Sequence, residues 1–301
     1  MESFSTLTQQ LHNGDLKALA RCITLVENES DGWMDLMQLL KVRDVPVIGI
    51  TGPPGAGKST LIGNLIQHYS REKKKTGVLA VDPSSPFHHG SLLGDRLRMS
   101  PHFTNPEVYI RSLAARGSLG GLTDKAIEIT DVMKAAGFDI IIIETVGIGQ
   151  SETEIASLAD ATVLVLVPES GDEIQTLKAG IMEIADIYVV NKADHADAEK
   201  FADSVSWMAK LKPVSGWAVP VIKCIATRDE GTGELSESVK RFLDSRAVNR
   251  KRLQLFAEKA YRLIARERMK DIDKDALIKQ LEQKVNDKDF NLYRFVQAIL
   301  R

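Results

Sequence analysis

From Val45 to Ile225 the chain alternates short β-branched and aliphatic runs with longer segments, several of which have helix-like spacing. The runs are VPVIGIT (45–51), VLAVD (78–82), VYIRS (108–112), FDIIIIE (138–144), ATVLVLV (161–167), IYVV (187–190) and VPVIKCI (219–225). Most are continuously apolar rather than alternating, which is the mark of strands buried on both faces. This pattern predicts an α/β core, a mainly parallel sheet flanked by helices. Before it, Leu7, Leu11, Leu16, Leu19, Ala20, Ile23 and Val26 sit mostly three to five apart around an Asn13-Gly14 break, which predicts short amphipathic helices. After about Gly233, charged helix formers carry Leu253, Phe256, Ala260 and Leu263, then Leu277 and Leu281, then Leu292, Phe295, Val296 and Ile299. The expected division is a helical extension over 1–43, a nucleotide-binding domain over 44–236 and a helical extension over 237–301.

Composition narrows the class. With 39 Lys plus Arg against 41 Asp plus Glu, the net charge is −2, which argues against a generic basic nucleic-acid binder. At 44% hydrophobic and 27% charged residues, the chain has the composition of a globular protein. Two cysteines in no metal or redox spacing predict neither a disulfide framework nor a zinc ribbon. No apolar run approaches the roughly 20 residues of a membrane span. The start MESFSTLTQQ carries no secretory or transit pattern, so a cytoplasmic protein is expected, with no membrane and no nucleic acid among its partners.

The most specific signal follows the first strand. Gly52-Pro53-Pro54-Gly55-Ala56-Gly57-Lys58-Ser59, continued by Thr60, fits G-x-x-x-x-G-K-[ST] between a strand and a helix-like TLIGNLIQHY. Glycines let backbone N–H groups and a helix N-terminus close around phosphate oxygens. Lys58 brings positive charge to the β- and γ-phosphates, and the Ser59 hydroxyl can ligate Mg²⁺. A Gly-rich turn that merely joined strand to helix would need no Lys-Ser pair.

The base signal lies far downstream. The strand IYVV ends in Asn191-Lys192-Ala193-Asp194, the N-K-x-D pattern. A carboxylate at Asp194 can accept from both guanine N1–H and the exocyclic amine, and adenine presents no such donor pair. Asn191 and Lys192 would brace the loop and base. After the last strand, Ile225-Ala226-Thr227 stands where a Ser-Ala pair usually offers a backbone amide to the guanine carbonyl, with Ile225 replacing the serine.

Two acids end strands near the phosphate loop. Asp82 begins Asp82-Pro83-Ser84-Ser85, and Glu144 begins Glu144-Thr145-Val146-Gly147. An acid so placed can hold Mg²⁺ directly or through water, and Gly147 could offer its N–H to the γ-phosphate. Ordinary strand-end capping is the lesser alternative for either acid alone, and their joint presence argues against both being caps.

Together GPPGAGKST, VDPSSPFHHGSLLGDRLRM, RGSLGGL, ETVGIGQSE and NKAD, in this order, resemble the MeaB/ArgK family of GTPases, members of the SIMIBI class of P-loop proteins. The resemblance covers about Gly14 to Gly233. It implies a GTPase acting as a chaperone for an adenosylcobalamin-dependent acyl-CoA mutase, gating cofactor delivery and protecting or reactivating the mutase. It further implies Mg²⁺, bound GTP or GDP, and a homodimer made through helical extensions; no cobalamin site is identified in the chain. By the same comparison Asp82–Met99 would be switch I, with Asp95 and Arg98 responsive to nucleotide. Glu144–Glu154 would be switch II, and Glu169–Lys178, with Asp172 and Lys178, an additional switch facing the mutase.

The residues expected to act on the reaction are thus Lys58, Asp95, Arg98 and Glu144. Arg98 could neutralise transition-state charge, although solvated salt bridging explains an arginine there more simply. His88 and His89 lack a third ligand nearby and read as loop residues. Two other readings compete with this one. A small-molecule P-loop kinase linked to arginine transport needs no guanine-selective N-K-x-D, and a nickel-insertion GTPase would carry a His-rich tail or Cys-His cluster that this chain lacks.

Overall fold

The computed structural model describes residues 3–82, 99–114, 125–145, 151–168, 179–211, 217–245, 250–285 and 290–299. In chain order the elements begin with α1 Phe4–His12, α2 Leu16–Glu27, α3 Trp33–Gln38, β1 Val47–Thr51, α4 Lys58–Arg71, β2 Thr76–Asp82 and β3 Val108–Ala114. They continue through α5 Ala126–Ala135, β4 Ile140–Glu144, α6 Ser151–Leu158, β5 Ala161–Leu166, α7 Ala179–Ile184, β6 Ile187–Val190, α8 Ala198–Lys210 and β7 Val221–Lys223. The last are α9 Thr232–Ser245, α10 Arg250–Arg268, α11 Lys274–Lys284 and α12 Leu292–Ile299. All seven apolar runs are strands.

They form one parallel sheet in the order β3-β2-β4-β1-β5-β6-β7. The continuous runs are divided between its faces by the strand pleat. Ile48, Ile50, Ile140, Ile142, Val163 and Val165 pack with Leu61, Ile62, Leu65 and Ile66 of α4 and with Leu235 and Val239 of α9. Leu164, Leu166, Tyr188 and Val190 face the opposite way, onto Phe201, Ala202 and Val205 of α8. Each of the four α4 aliphatics is fully buried, which stabilises the fold by about 1.5–3 kcal/mol apiece relative to exposure. Gly49 of β1 lies under α6, where a Cβ would stand 2.7 Å from Ile155 Cγ1.

The N-terminal helices begin as their sequence suggests. Ser3 caps α1 through Thr6 N–H, and Asp15 caps α2 through the N–H groups of Lys17 and Ala18. Between them Gly14 takes φ +82, a conformation that a side chain would strain. α2 packs on α5, and Arg111 of β3 pairs with Glu27 of α2 at 2.7 Å.

Two compact units are present, Met1–Lys251 and Arg252–Arg301. The first takes in α1–α3, the sheet and α9, whose Leu235 and Val239 belong to the sheet core. Within the second unit Phe295 is buried, with the ring of Phe290 6.5 Å away and Lys284 Nζ 5.7 Å from its centroid. No helix among the described residues is long and apolar enough to cross a membrane.

Candidate functional site: a nucleotide cleft at the strand ends

The sheet order decides what meets at its C-terminal edge. β1 lies between β4 and β5, and β6 follows β5, so the loops after β1, β4 and β6 open on the same edge. Open α/β sheets bind ligands outside these strand ends.

The loop after β1 is the predicted phosphate loop. Gly52 has φ +145, and a Cβ on it would collide with the carbonyl oxygen of Val165 in β5. Gly57 has φ +87 and directly precedes α4, whose first turn has no side-chain cap. That leaves the helix N–H groups pointing out of the loop, as phosphate binding requires. Inside it, Lys58 Nζ donates to the carbonyls of Gly52 at 2.8 Å and Pro53 at 3.0 Å. Lys58 is only 7% exposed, and these bonds hold its ammonium within the loop. Pro54 and Gly55 form the exposed rim, while Ala56 is buried.

β4 is the strand hydrogen-bonded beside β1, with Ile50 in register with Glu144. Ser59, at the second position of α4, consequently donates from Oγ to Glu144 Oε1 at 2.8 Å, both residues being buried. A second link joins the same strands one step on, where Thr145 Oγ1 donates to Thr51 Oγ1 at 2.9 Å. Asp82 ends β2, the strand on the other side of β4. A hydroxyl and a carboxylate sharing one buried position offer hard oxygen ligands suited to Mg²⁺.

The base loops close around the phosphate loop through one side chain. Asn191 is buried, donates from Nδ2 to the carbonyl of Ala56 at 2.8 Å, and accepts through Oδ1 from the N–H of Ala226 at 3.1 Å. It therefore ties the phosphate loop, its own loop and the loop after β7 at one point. Gly57 is required here too, since a Cβ on it would strike Asn191 Nδ2. Lys192 adopts φ +56, and Ala193 N–H donates to the carbonyl of Cys224 at 3.0 Å, which turns the chain so that Asp194 reaches the surface. There its carboxylate lies 3.6 Å from Arg228.

The loop after β7 is held by an isolated bridge between Ile225 and Glu230, with Asp229 at φ +58 and Gly231 at φ +83. Ala226 is buried and Thr227 exposed. The Ala226 N–H expected to meet guanine donates instead to Asn191 in this structure. Below it, burial pushes the Cys224 thiol up to about 12, with the charge of Glu234 adding to the shift.

Lys58, Ser59, Glu144, Asn191 and Ala226 are thus joined by the β1, β4, β6 and β7 loops. Asp95, Arg98 and Gly147 lie outside the described residues, as do His88, His89 and most of the three expected switch segments. Sequence reading missed Asn64 of α4, whose Nδ2 donates to the carbonyl of Ala226 at 2.7 Å. The available signal was a poor helix former in the middle of a helix.

A sequence profile described as "Methylmalonyl Co-A mutase-associated GTPase MeaB" matches residues 19–286. The chain belongs to the MeaB family. Among MeaB-like relatives, a protein of Pyrococcus abyssi named as a GTPase is 40% identical over 308 residues, covering 98% of this chain and 95% of that one. The mouse mitochondrial "Methylmalonic aciduria type A homolog" is 38% identical over 253 residues, 77% of this chain and 61% of the mouse protein. A solved structure described as a LAO/AO transport system kinase superposes with a TM-score of 0.69 at 25% identity, covering 98% of this chain and 95% of that one. The P-loop NTPase architecture expected for the family is the one observed, a parallel sheet with helices on both faces.

Proposed function

We propose that this MeaB-family chain binds GTP across the cleft, hydrolyses it to GDP and phosphate with Mg²⁺, and uses the cycle to control an adenosylcobalamin-dependent acyl-CoA mutase in the cytoplasm. The observation that carries the nucleotide reading is the pair of hydrogen bonds that Asn191, three residues before Asp194, makes with the phosphate loop and with Ala226. It supports a single nucleotide spanning both loops, because the N-K-x-D segment and the phosphate loop are tied through this one side chain.

In this reading the N–H groups around Gly55–Thr60 and the Lys58 ammonium take the β- and γ-phosphates. Ser59 and Glu144, with Asp82 alongside, would hold Mg²⁺, which supplies charge neutralisation on the phosphate oxygens when bound. Water attacks the γ-phosphorus in line, its bond to phosphorus forming as the β–γ bridging bond breaks, and the bridging oxygen leaves on GDP. Lys58 would stabilise the charge that accumulates there, and Asp95, Arg98 and Gly147 are the further residues assigned to this step. Asp194 reads guanine N1–H and the exocyclic amine, and the Ile225–Thr227 loop supplies the donor for the base carbonyl.

The mutase role is supported by the family and by the name of the mouse relative. A homodimer through the C-terminal helices is supported by the apolar residues they expose, among them Leu253 at 59%, Tyr261 at 74% and Ile264 at 59%. Calorimetric titration with GTP and ATP tests the base assignment: GTP should bind the more tightly, and Asp194→Asn should move the preference to xanthine nucleotides. Tighter ATP binding would favour a small-molecule kinase instead. Co-purification of a mutase that depends on a non-hydrolysable GTP analogue tests the partner, and its absence in both nucleotide states would count against that role.

A further inference from the structure

Ala226 is gripped from two directions. Its N–H is held by Asn191 and its carbonyl by Asn64 Nδ2, at 3.1 and 2.7 Å. Asn191 returns to the phosphate loop at Ala56, eight residues before Asn64 in a segment whose later part is α4. Ala56, Asn191, Ala226 and Asn64 consequently form a closed ring that runs through the phosphate loop and the base loop alike.

Asn64 sits between Gly63 and Leu65, mid-helix, where asparagine is disfavoured because its side chain competes with the helix for backbone groups. Here the side chain leaves its own helix and bonds to a segment 162 residues away. A half-buried amide so engaged fixes the height of the 225–227 loop above α4. Leu or Ala at the same place would favour the helix and leave the Ala226 carbonyl without this donor.

We propose that Asn64 is a positioning residue for purine selectivity: from the phosphate helix, it sets the loop that reads the 6-carbonyl of the base. The inference rests on the guanine reading above and deepens it, assigning part of the selectivity to a residue outside the N-K-x-D segment. The 6-carbonyl is common to guanine and hypoxanthine and absent from adenine. Misplacing the loop should therefore weaken both oxo-purines by the same factor and leave adenine unchanged, whereas loss of Asp194 penalises guanine through its N1–H and amine and hypoxanthine less, through N1–H alone.

The test is a competition series with GDP, IDP and ADP on the full-length protein and on Asn64→Ala. The variant should lose about five- to tenfold affinity for GDP and IDP alike, the weight of one half-buried hydrogen bond, with ADP unchanged. Asn64→Asp keeps the side-chain shape, sets a carboxylate against the carbonyl, and should lose more; it also serves if the alanine variant folds poorly. Equal weakening of all three nucleotides, or no weakening, overturns the role of Asn64 while the guanine reading stands. A native protein that binds ADP as well as GDP, with Asp194→Asn indifferent among bases, removes the guanine reading itself and this inference with it.

Discussion

At the phosphate end of the cleft the polar groups are buried and already bonded; at the base end the specificity-bearing acid stands in water. Lys58, Ser59 and Glu144 are 7%, 3% and 6% exposed, and each has a hydrogen-bond partner among its neighbours. The Asp194 and Arg228 side chains are 43% and 60% exposed and lie 3.6 Å apart. In a dry site, the Lys58 charge is held where a triphosphate needs it, and reorganisation on binding is small. In water, the Asp194–Arg228 pair contributes about 0–1 kcal/mol, so a guanine can take the carboxylate at little cost. In the proposed reading the phosphate end would thus supply affinity from a prepared geometry, and the base end would supply choice through a group the ligand must recruit.

Breaking the prepared end should have the largest effect. Gly57→Ala would place a side chain at φ +87 and against Asn191 at once. The αL strain alone amounts to about 1–2 kcal/mol, and displacing Asn191 would also loosen the tie between the loops. Nucleotide affinity should fall by about 100-fold or more by calorimetry. Gly55→Ala separates the two causes, because Gly55 has φ +75 but nothing within 4 Å of an added Cβ. It should lose only about tenfold. Equal losses in the two variants would show that the Asn191 contact is irrelevant to binding.

The same contrast explains what was legible in the sequence. The phosphate loop could be read because its constraints are local: three glycines within six residues, a lysine and a serine between a strand and a helix. All seven strands were legible for a related reason, since buried parallel strands must be apolar on both faces. The partnership of Ser59 with Glu144 could be suspected from types but not placed, because it depends on β4 entering the sheet next to β1. Strand order is set by long-range packing rather than by local pattern. Asn64 was missed because a polar residue in an amphipathic helix is usually on the solvated face, and only the approach of the β7 loop gives it a role. That α9 covers the sheet was not legible either, because α9 and α10 carry similar amphipathic spacing. Periodicity shows which face needs cover and not what covers it.

A middle-sized effect should come from the acid beside Ser59. Glu144→Gln preserves shape and can still bond to the Ser59 hydroxyl, but it removes the negative charge that favours a divalent cation. The Mg²⁺ concentration needed for half-maximal GTP binding should rise about tenfold, a change of about 1.4 kcal/mol. Binding of GDP in excess chelator should stay the same. A loss in chelator as large as that in Mg²⁺ would make Glu144 a structural anchor of α4 rather than part of a cation site.

The smallest effect should follow from Arg228→Ala. If Asp194 is recruited by the base from an exposed and weak ion pair, deleting the arginine removes little attraction and also removes a competitor for the carboxylate. The two consequences oppose each other, so GDP affinity should change by no more than about twofold, and its salt dependence should hardly move. Equilibrium binding at low and high ionic strength measures both quantities. A loss of tenfold or more would mean that Arg228 touches the nucleotide directly. In that case the base end is as prepared as the phosphate end, and the contrast between them fails.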